Sequence, residues 1–209
     1  MIQGRVPRSV TWFVVICVVL ELTVLASELA GFGPRLRNQF VIWGGFWPEL
    51  LGQGKPVFPG QAVTMFATVP LLHGGPMHLI MNMLGLLWLG SLVVRRVGQL
   101  TFWIIVAFSA LGSGLAYAGL SSGHIPMVGA SGVIFGLIGA LVIWAVRDRR
   151  ALHLSLMPIL RAALVFIILN VVVMLVAGGI VAWQAHLGGF LAGALVGAKT
   201  WRDPRRLRF

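Results

Sequence analysis

Apolar residues run almost unbroken through six stretches of this chain, 10–30, 77–94, 101–120, 131–146, 162–180 and 183–198. Charged residues collect between and beyond them. Each stretch is close to the ~20 residues that cross a ~30 Å hydrocarbon core as a helix. The pattern predicts an all-α, polytopic membrane protein with six transmembrane helices in one membrane domain spanning all 209 residues. The first run is too long for a removed signal peptide and lacks the small-residue cleavage site of one.

Charge sets the orientation. With the N-terminus in the cytoplasm, the inner segments hold Arg5, Arg8, Arg95, Arg96, Arg147, Arg149, Arg150, Arg161, Lys199, Arg202, Arg205, Arg206 and Arg208. Only Arg35, Arg37 and Lys55 of the 16 basic residues stay outside. Positive charge favours the cytoplasmic side, so both termini are expected there. The external loop 31–76 is long and carries Trp43, Phe46 and Trp47. Such aromatics favour the headgroup level, and the loop is read as lying partly in the outer interface. The basic tail 199–209 is read as solvated and drawn to anionic lipid headgroups.

Composition narrows the class further. Hydrophobic residues make up 58% of the chain and charged residues 10%, and mean hydropathy is +0.95. A soluble domain has about 25% charged residues. The net charge of +11 lies at the ends of apolar runs and forms no patch that would read nucleic acid. The single cysteine, Cys17, excludes an internal disulfide and a cysteine metal site.

Depth along the helices brings the candidate chemistry together. At 1.5 Å per residue, Ser131 lies ~24 Å above Arg147, and His186 lies ~20 Å above Lys199. His78 and Asn82 lie ~26 Å and ~20 Å above Arg95. All four fall in one slab below the outer surface. Gly189, Gly193 and Gly197 recur on one face of the last span, three residues after His186, and Gly132, Gly136 and Ala140 form a row on the fourth span. Small residues at this spacing let helix backbones approach closely in lipid. Facing rows would bring Ser131 within reach of His186.

That pairing has a chemical meaning. A serine hydroxyl needs a base to become a nucleophile, and His186 can be that base. The Ser131 backbone N–H, at a helix start, and the side chains of His78 and Asn82 can donate to a developing oxyanion. No acid completes a triad. Asp148 and Asp203 are cytoplasmic, Glu49 lies in the external loop and Glu28 near the outer end of the first span. Glu21 is buried, read as protonated or facing a water cavity. The site is read as a Ser-His dyad.

These residues resemble the rhomboid family of intramembrane serine proteases. Gly129-Ala130-Ser131-Gly132 matches the family's G-x-S-G motif, and His78 to Asn82 its H-x-x-x-N motif. The stretch 185–193, "AHLGGFLAG", is similar to the family's histidine motif, and "LLHGGPMH" to its approach to the second span. The resemblance covers about residues 63–198. It implies a compact six-helix bundle that cleaves transmembrane protein substrates near the extracytoplasmic face, without metal or cofactor. It implies Ser131 as nucleophile, His186 as base, and an oxyanion site lined by His78, Asn82 and Ser131. It also implies that Phe135, four residues after the serine, packs on the catalytic histidine. The family's Trp-Arg pair in the first loop is replaced here by Val63-Thr64-Met65, and its glutamate near the end of the second span by Val94. A compact chain of this kind suits a prokaryotic plasma membrane.

Other readings set the contrast. A lone G-x-S-G is weak, since a serine in lipid more often bonds the carbonyl one turn back, and glycine rows often only pack. Asn170 is expected to make an interhelical hydrogen bond, and His73 and His124 loop hydrogen bonds at the external rim. A small transporter also has glycine-broken helices and buried polar groups, but the halves show no repeat. A catalytically dead relative acting as a binder would normally lack Ser131 or His186. No H-E-x-x-H motif supports a metalloprotease.

Overall fold

The computed structural model describes residues 5–121, 125–176 and 182–206. The described secondary structure is helical, apart from one isolated antiparallel bridge between Phe46 and Met127. Eight α-helices follow in order: α1 (Arg8–Ser27), α2 (Arg35–Gly44), α3 (Gln61–Thr68), α4 (Pro76–Gly85), α5 (Ser91–Leu120), α6 (Ser131–Ala151), α7 (Met157–Val176) and α8 (Trp183–Thr200). A π-helical turn, Glu28–Phe32, extends α1, and another, Leu86–Gly90, joins α4 to α5.

Among the described residues, three helical stretches are long and apolar enough to cross a membrane: Arg8–Phe32, Pro76–Leu120 and Ser131–Ala151. The chain is an integral membrane protein. The middle stretch has 45 residues, about twice what one crossing needs. It breaks at Gly98, whose φ of 83° and ψ of 171° are not helical. A positive φ suits glycine because it has no Cβ to clash. The second and third apolar runs are therefore joined through a glycine kink within one continuous helical stretch. At the fourth run the helix continues to Ala151, past three arginines.

The external segment folds into α2, α3 and 3₁₀ turns at Pro48–Leu51 and Val69–Leu71. Phe46, expected among interfacial aromatics, is fully buried. Its ring packs edge-on against Phe66 and Tyr117. The space for it comes from Gly114, where a Cβ would lie 2.6 Å from the Phe46 ring. Trp43 stays half exposed at 49%.

Two polar residues brace this segment. The Gln61 side chain is 1% exposed. Its amide donates to the Ile42 carbonyl (2.6 Å) and accepts from the Val57 N–H (2.7 Å). It ties the loop together beside Met65, which fills the Trp-Arg region with a buried apolar side chain. Arg37 joins α2 to α1 through Glu21 (2.9 Å) and Glu28 (2.8 Å) and also donates to the His73 carbonyl (3.0 Å). Those hydrogen bonds, to Glu28 and then Glu21, raise the Arg37 pKa. Glu21, expected to be protonated or facing water, is instead ion-paired. A carboxylate 4% exposed needs such a partner, because desolvating an unpaired charge is costly.

Removing the cation tests this clasp. Arg37→Ala should lower stability by about 3–5 kcal/mol, the usual cost of stranding one partner of a buried pair. The loss should shrink in Glu21→Gln/Arg37→Ala, which leaves no buried carboxylate alone. Unfolding in mixed micelles with rising dodecyl sulfate reads both; equal losses would show that the pair is energetically idle.

Candidate functional site

Three helices, α5, α6 and α8, pack around a seam of glycines. A Cβ on Gly189 would lie 2.0 Å from the Gly132 carbonyl oxygen, and one on Gly193 would lie 1.9 Å from that of Gly136. Gly197 would strike Ala140. In return, a Cβ on Gly139 would lie 2.1 Å from the Phe190 carbonyl oxygen. At Gly189, Gly193 and Gly139 the glycine Cα–H points at a carbonyl across the interface. Such weak hydrogen bonds contribute about 0.5–1 kcal/mol each.

The α6 glycines do a second job. Their missing side chains leave room for α5: a Cβ on Gly132 would lie 2.0 Å from Ser113 Oγ, and one on Gly136 would lie 1.8 Å from Ser109 Oγ. The α8 contact takes place over their backbone. One glycine row per helix accounts for the α6–α8 contact alone and leaves out α5. The doublet Gly188-Gly189 carried the signal, since adjacent residues point to different helix faces. Gly188 indeed packs on Gly112 of α5.

The seam places Ser131, the first residue of α6, beside His186, in the first turn of α8. His186 Nε2 lies 3.0 Å from Ser131 Oγ. The Phe135 ring stacks on the His186 ring, with centroids 4.0 Å apart and planes 10° from parallel. Stacking restrains the imidazole plane. In the tautomer with the proton on Nδ1, Nε2 accepts from the serine hydroxyl and can take its proton.

The turn before Ser131 is fixed on three sides. Met127 exchanges two backbone hydrogen bonds with Phe46, the Gly129 N–H donates to the Val69 carbonyl (3.0 Å), and Tyr117 Oη donates to the Ile125 carbonyl (2.9 Å). Gly129 has φ +126°, and a Cβ there would lie 2.8 Å from His78 Nε2. Only glycine satisfies both the torsion and the ring. The His78 imidazole thus lies against the serine loop.

His78 has a defined tautomer. Its Nδ1 accepts from the Gly74 N–H (3.3 Å), which leaves the proton on Nε2, the atom facing Gly129. Asn82 is buried, and its Nδ2 donates to the His78 carbonyl (2.8 Å); an amide has a second N–H to offer. The first N–H groups of a helix lack intrahelical acceptors, and Ser131 opens α6. This corner therefore gathers donors where negative charge can develop.

His73 was expected to make a rim hydrogen bond. It is instead buried at 4% exposure, and among the described residues neither ring nitrogen has a hydrogen-bond partner. Its ring packs edge-on against His78 at 5.3 Å. Burial, and then the His78 ring, push its pKa down to about 4, so it stays neutral near pH 7. His124 and the Asn170 side chain lie outside the described residues. Arg37 and Gln61 were missed by sequence reasoning. Arg37 left a signal, because a buried Glu21 calls for a cation and only three basic residues lie in the external segment.

Comparison with known proteins gives a consistent result. The family model for the Rhomboid domain matches residues 60–203. RHOMBOID-like protein 5 of Arabidopsis thaliana is 34% identical over 134 residues, covering 60% of this chain and 40% of that protein. RHOMBOID-like protein 4 of Arabidopsis thaliana is 32% identical over 150 residues, covering 68% and 35%. RHOMBOID-like protein 6, mitochondrial, also from Arabidopsis thaliana, is 29% identical over 171 residues, covering 79% and 53%. The matched part thus spans about a third to a half of these relatives' length.

The seam generates a test away from the reacting atoms. Gly193→Ala forces a methyl group onto the Gly136 carbonyl and should cost about 1–3 kcal/mol, as overpacking does. Gly119→Ala, with open space around it, should be neutral. Unfolding in mixed micelles compares the two; a neutral Gly193→Ala would mean that the helices separate freely.

Proposed function

The chain belongs to the rhomboid family, and from that premise we propose that it is an intramembrane serine endopeptidase working through a Ser131–His186 dyad. The observation that carries this reading is the 3.0 Å contact from His186 Nε2 to Ser131 Oγ beneath a stacked Phe135 ring. His186 takes the hydroxyl proton as Ser131 Oγ attacks the scissile carbonyl. The Ser131 N–H, His78 Nε2–H and Asn82 amide donate to the oxyanion. His186 then returns the proton to the leaving amine, and water releases the acyl group by the same base. No carboxylate is needed, and Glu21 is already held by Arg37.

The same proposal includes the topology. The spans are Arg8–Phe32, the two halves of Pro76–Leu120 on either side of Gly98, Ser131–Ala151, α7 and α8, six in all. Both termini lie on the basic, cytoplasmic side, and the site opens toward the extracytoplasmic face of a plasma membrane. The substrate is a transmembrane segment that unwinds locally, because a regular helix hides its peptide bonds. The requirement for an activated serine separates this reading from a transporter or a catalytically dead binder.

Ser131→Ala should abolish cleavage of a model transmembrane substrate and labelling by a fluorophosphonate, while insertion stays normal. His186→Ala should be about as damaging and the double variant little worse, because the two act as a unit. Additive losses, or turnover by Ser131→Ala, would remove the dyad.

Entry for the substrate follows from packing. The described side chains of α7 are largely exposed, unlike the glycine-sealed α5, α6 and α8, so α7 is the element that can move aside. Gly178 and Gly179 follow α7 in the sequence, where glycine lowers the cost of bending; they lie outside the described residues. A disulfide engineered between the outer ends of α4 and α7 should reversibly block substrate cleavage and leave fluorophosphonate labelling of Ser131 largely intact. Full-rate cleavage by the crosslinked enzyme would place the entrance elsewhere.

A further inference from the structure

The glycine seam leaves one problem unsolved. Gly189, Gly193 and Gly197 repeat every four residues, and so do Gly132, Gly136 and Ala140. Sliding α8 along α6 by one repeat, about 6 Å, places Gly189 on Gly136 or Gly193 on Gly132. Most of the close backbone contacts can re-form in that register. Ser131 and His186 cannot, since they would stand a full repeat apart. The seam brings the helices together without selecting the one alignment that the dyad needs.

A cluster at the cytoplasmic end supplies the missing choice. Asp148 of α6 pairs with Arg96 (2.8 Å) and accepts from Trp201 Nε1 (2.7 Å). Trp144, fully buried, donates through Nε1 to the Gly197 carbonyl (2.7 Å). Arg147 donates to the Ala198 carbonyl. Arg96 lies over the Trp144 ring at 5.0 Å, and Arg147 over the Trp201 ring at 5.8 Å. Trp201 has no counterpart four residues away, where Gly197 and Arg205 stand. A slip of α8 by one repeat therefore breaks the Trp201–Asp148 hydrogen bond and the Arg147–Trp201 contact, while Arg96 separately holds its own segment to α6.

The cluster also joins the right helices. Arg96 ends the segment that carries His78 and Asn82, Asp148 lies on the helix of Ser131, and Trp201 follows the helix of His186. Asp148 is about 26 Å along α6 from Ser131. We infer that the Arg96–Asp148–Trp201 cluster, with Trp144, is a register lock that fixes the axial alignment of the three site-bearing helices. Its members are positioning residues, acting on the Ser131–His186 pair through the helices. The inference rests on the dyad reading above.

The test reads register directly. Nitroxide labels placed through Arg150→Cys on α6 and Leu195→Cys on α8, both exposed positions, report the axial offset. Asp148→Asn/Trp201→Phe should add a second label distance, corresponding to an axial slip of about 6 Å. Fluorophosphonate labelling of Ser131 should slow about 10- to 100-fold, as expected for displaced reacting groups. A single unchanged distance overturns the inference, whether or not labelling slows. If that double variant does not fold, Trp201→Phe alone, which removes the Nε1 donor and spares the Arg96–Asp148 pair, carries the same test with the same two outcomes. Unlabelled wild-type protein removes the dyad reading instead, and the distance measurement still decides the register.

Discussion

The structure depends on backbone meeting backbone between α6 and α8. In lipid there is no hydrophobic force to press two helices together, so close packing and weak polar contacts must do it. Glycine makes this possible by letting a Cα–H reach a carbonyl. The consequence is chemical as well as mechanical. Ser131 and His186 have short side chains on separate helices, and their 3.0 Å contact exists only because the helix axes come so close. A methyl group at Gly189 or Gly193 would sit about 2 Å from a carbonyl oxygen, and the helices would part by more than a hydrogen bond can stretch.

Around that seam the rest of the chain serves as a frame. The external segment holds the serine turn through Phe46, Val69 and Met127. The same segment is held to α1 by the Arg37 ion pairs. Arg37 also reaches the His73 carbonyl, one residue before the Gly74 N–H that sets the His78 tautomer. The corner where His78 meets Gly129 is thus connected by hydrogen bonds and a ring contact to the buried carboxylate of Glu21. Gln61 and Arg37 brace a segment in which Val63-Thr64-Met65 stands in place of the family's Trp-Arg pair.

The sequence made some of this visible. Residues that lie at one depth on glycine-lined helices are constrained by helix rise alone, and Ser131, His186, Gly132 and Gly189 could be placed together on that basis. The apolar runs announced a membrane protein for the same reason. The part played by α5 was hidden, because Ser109 and Ser113 look like ordinary small residues until Gly136 and Gly132 are seen to make room for them. Phe46 was misplaced because an aromatic in an external loop looks interfacial unless its slot beside Gly114 is known. Ion pairs such as Arg37–Glu21 depend on how a loop folds back, which no local pattern encodes.

The most direct measurement of the central claim is a structure of the protein after reaction with a fluorophosphonate. The account predicts phosphorus bonded to Ser131 Oγ, with its oxygen accepting hydrogen bonds from the Ser131 N–H, His78 Nε2 and Asn82. Gly189 and Gly193 should still rest on the Gly132 and Gly136 carbonyls. An adduct on another residue, or one on Ser131 with α6 and α8 drawn apart, would contradict it.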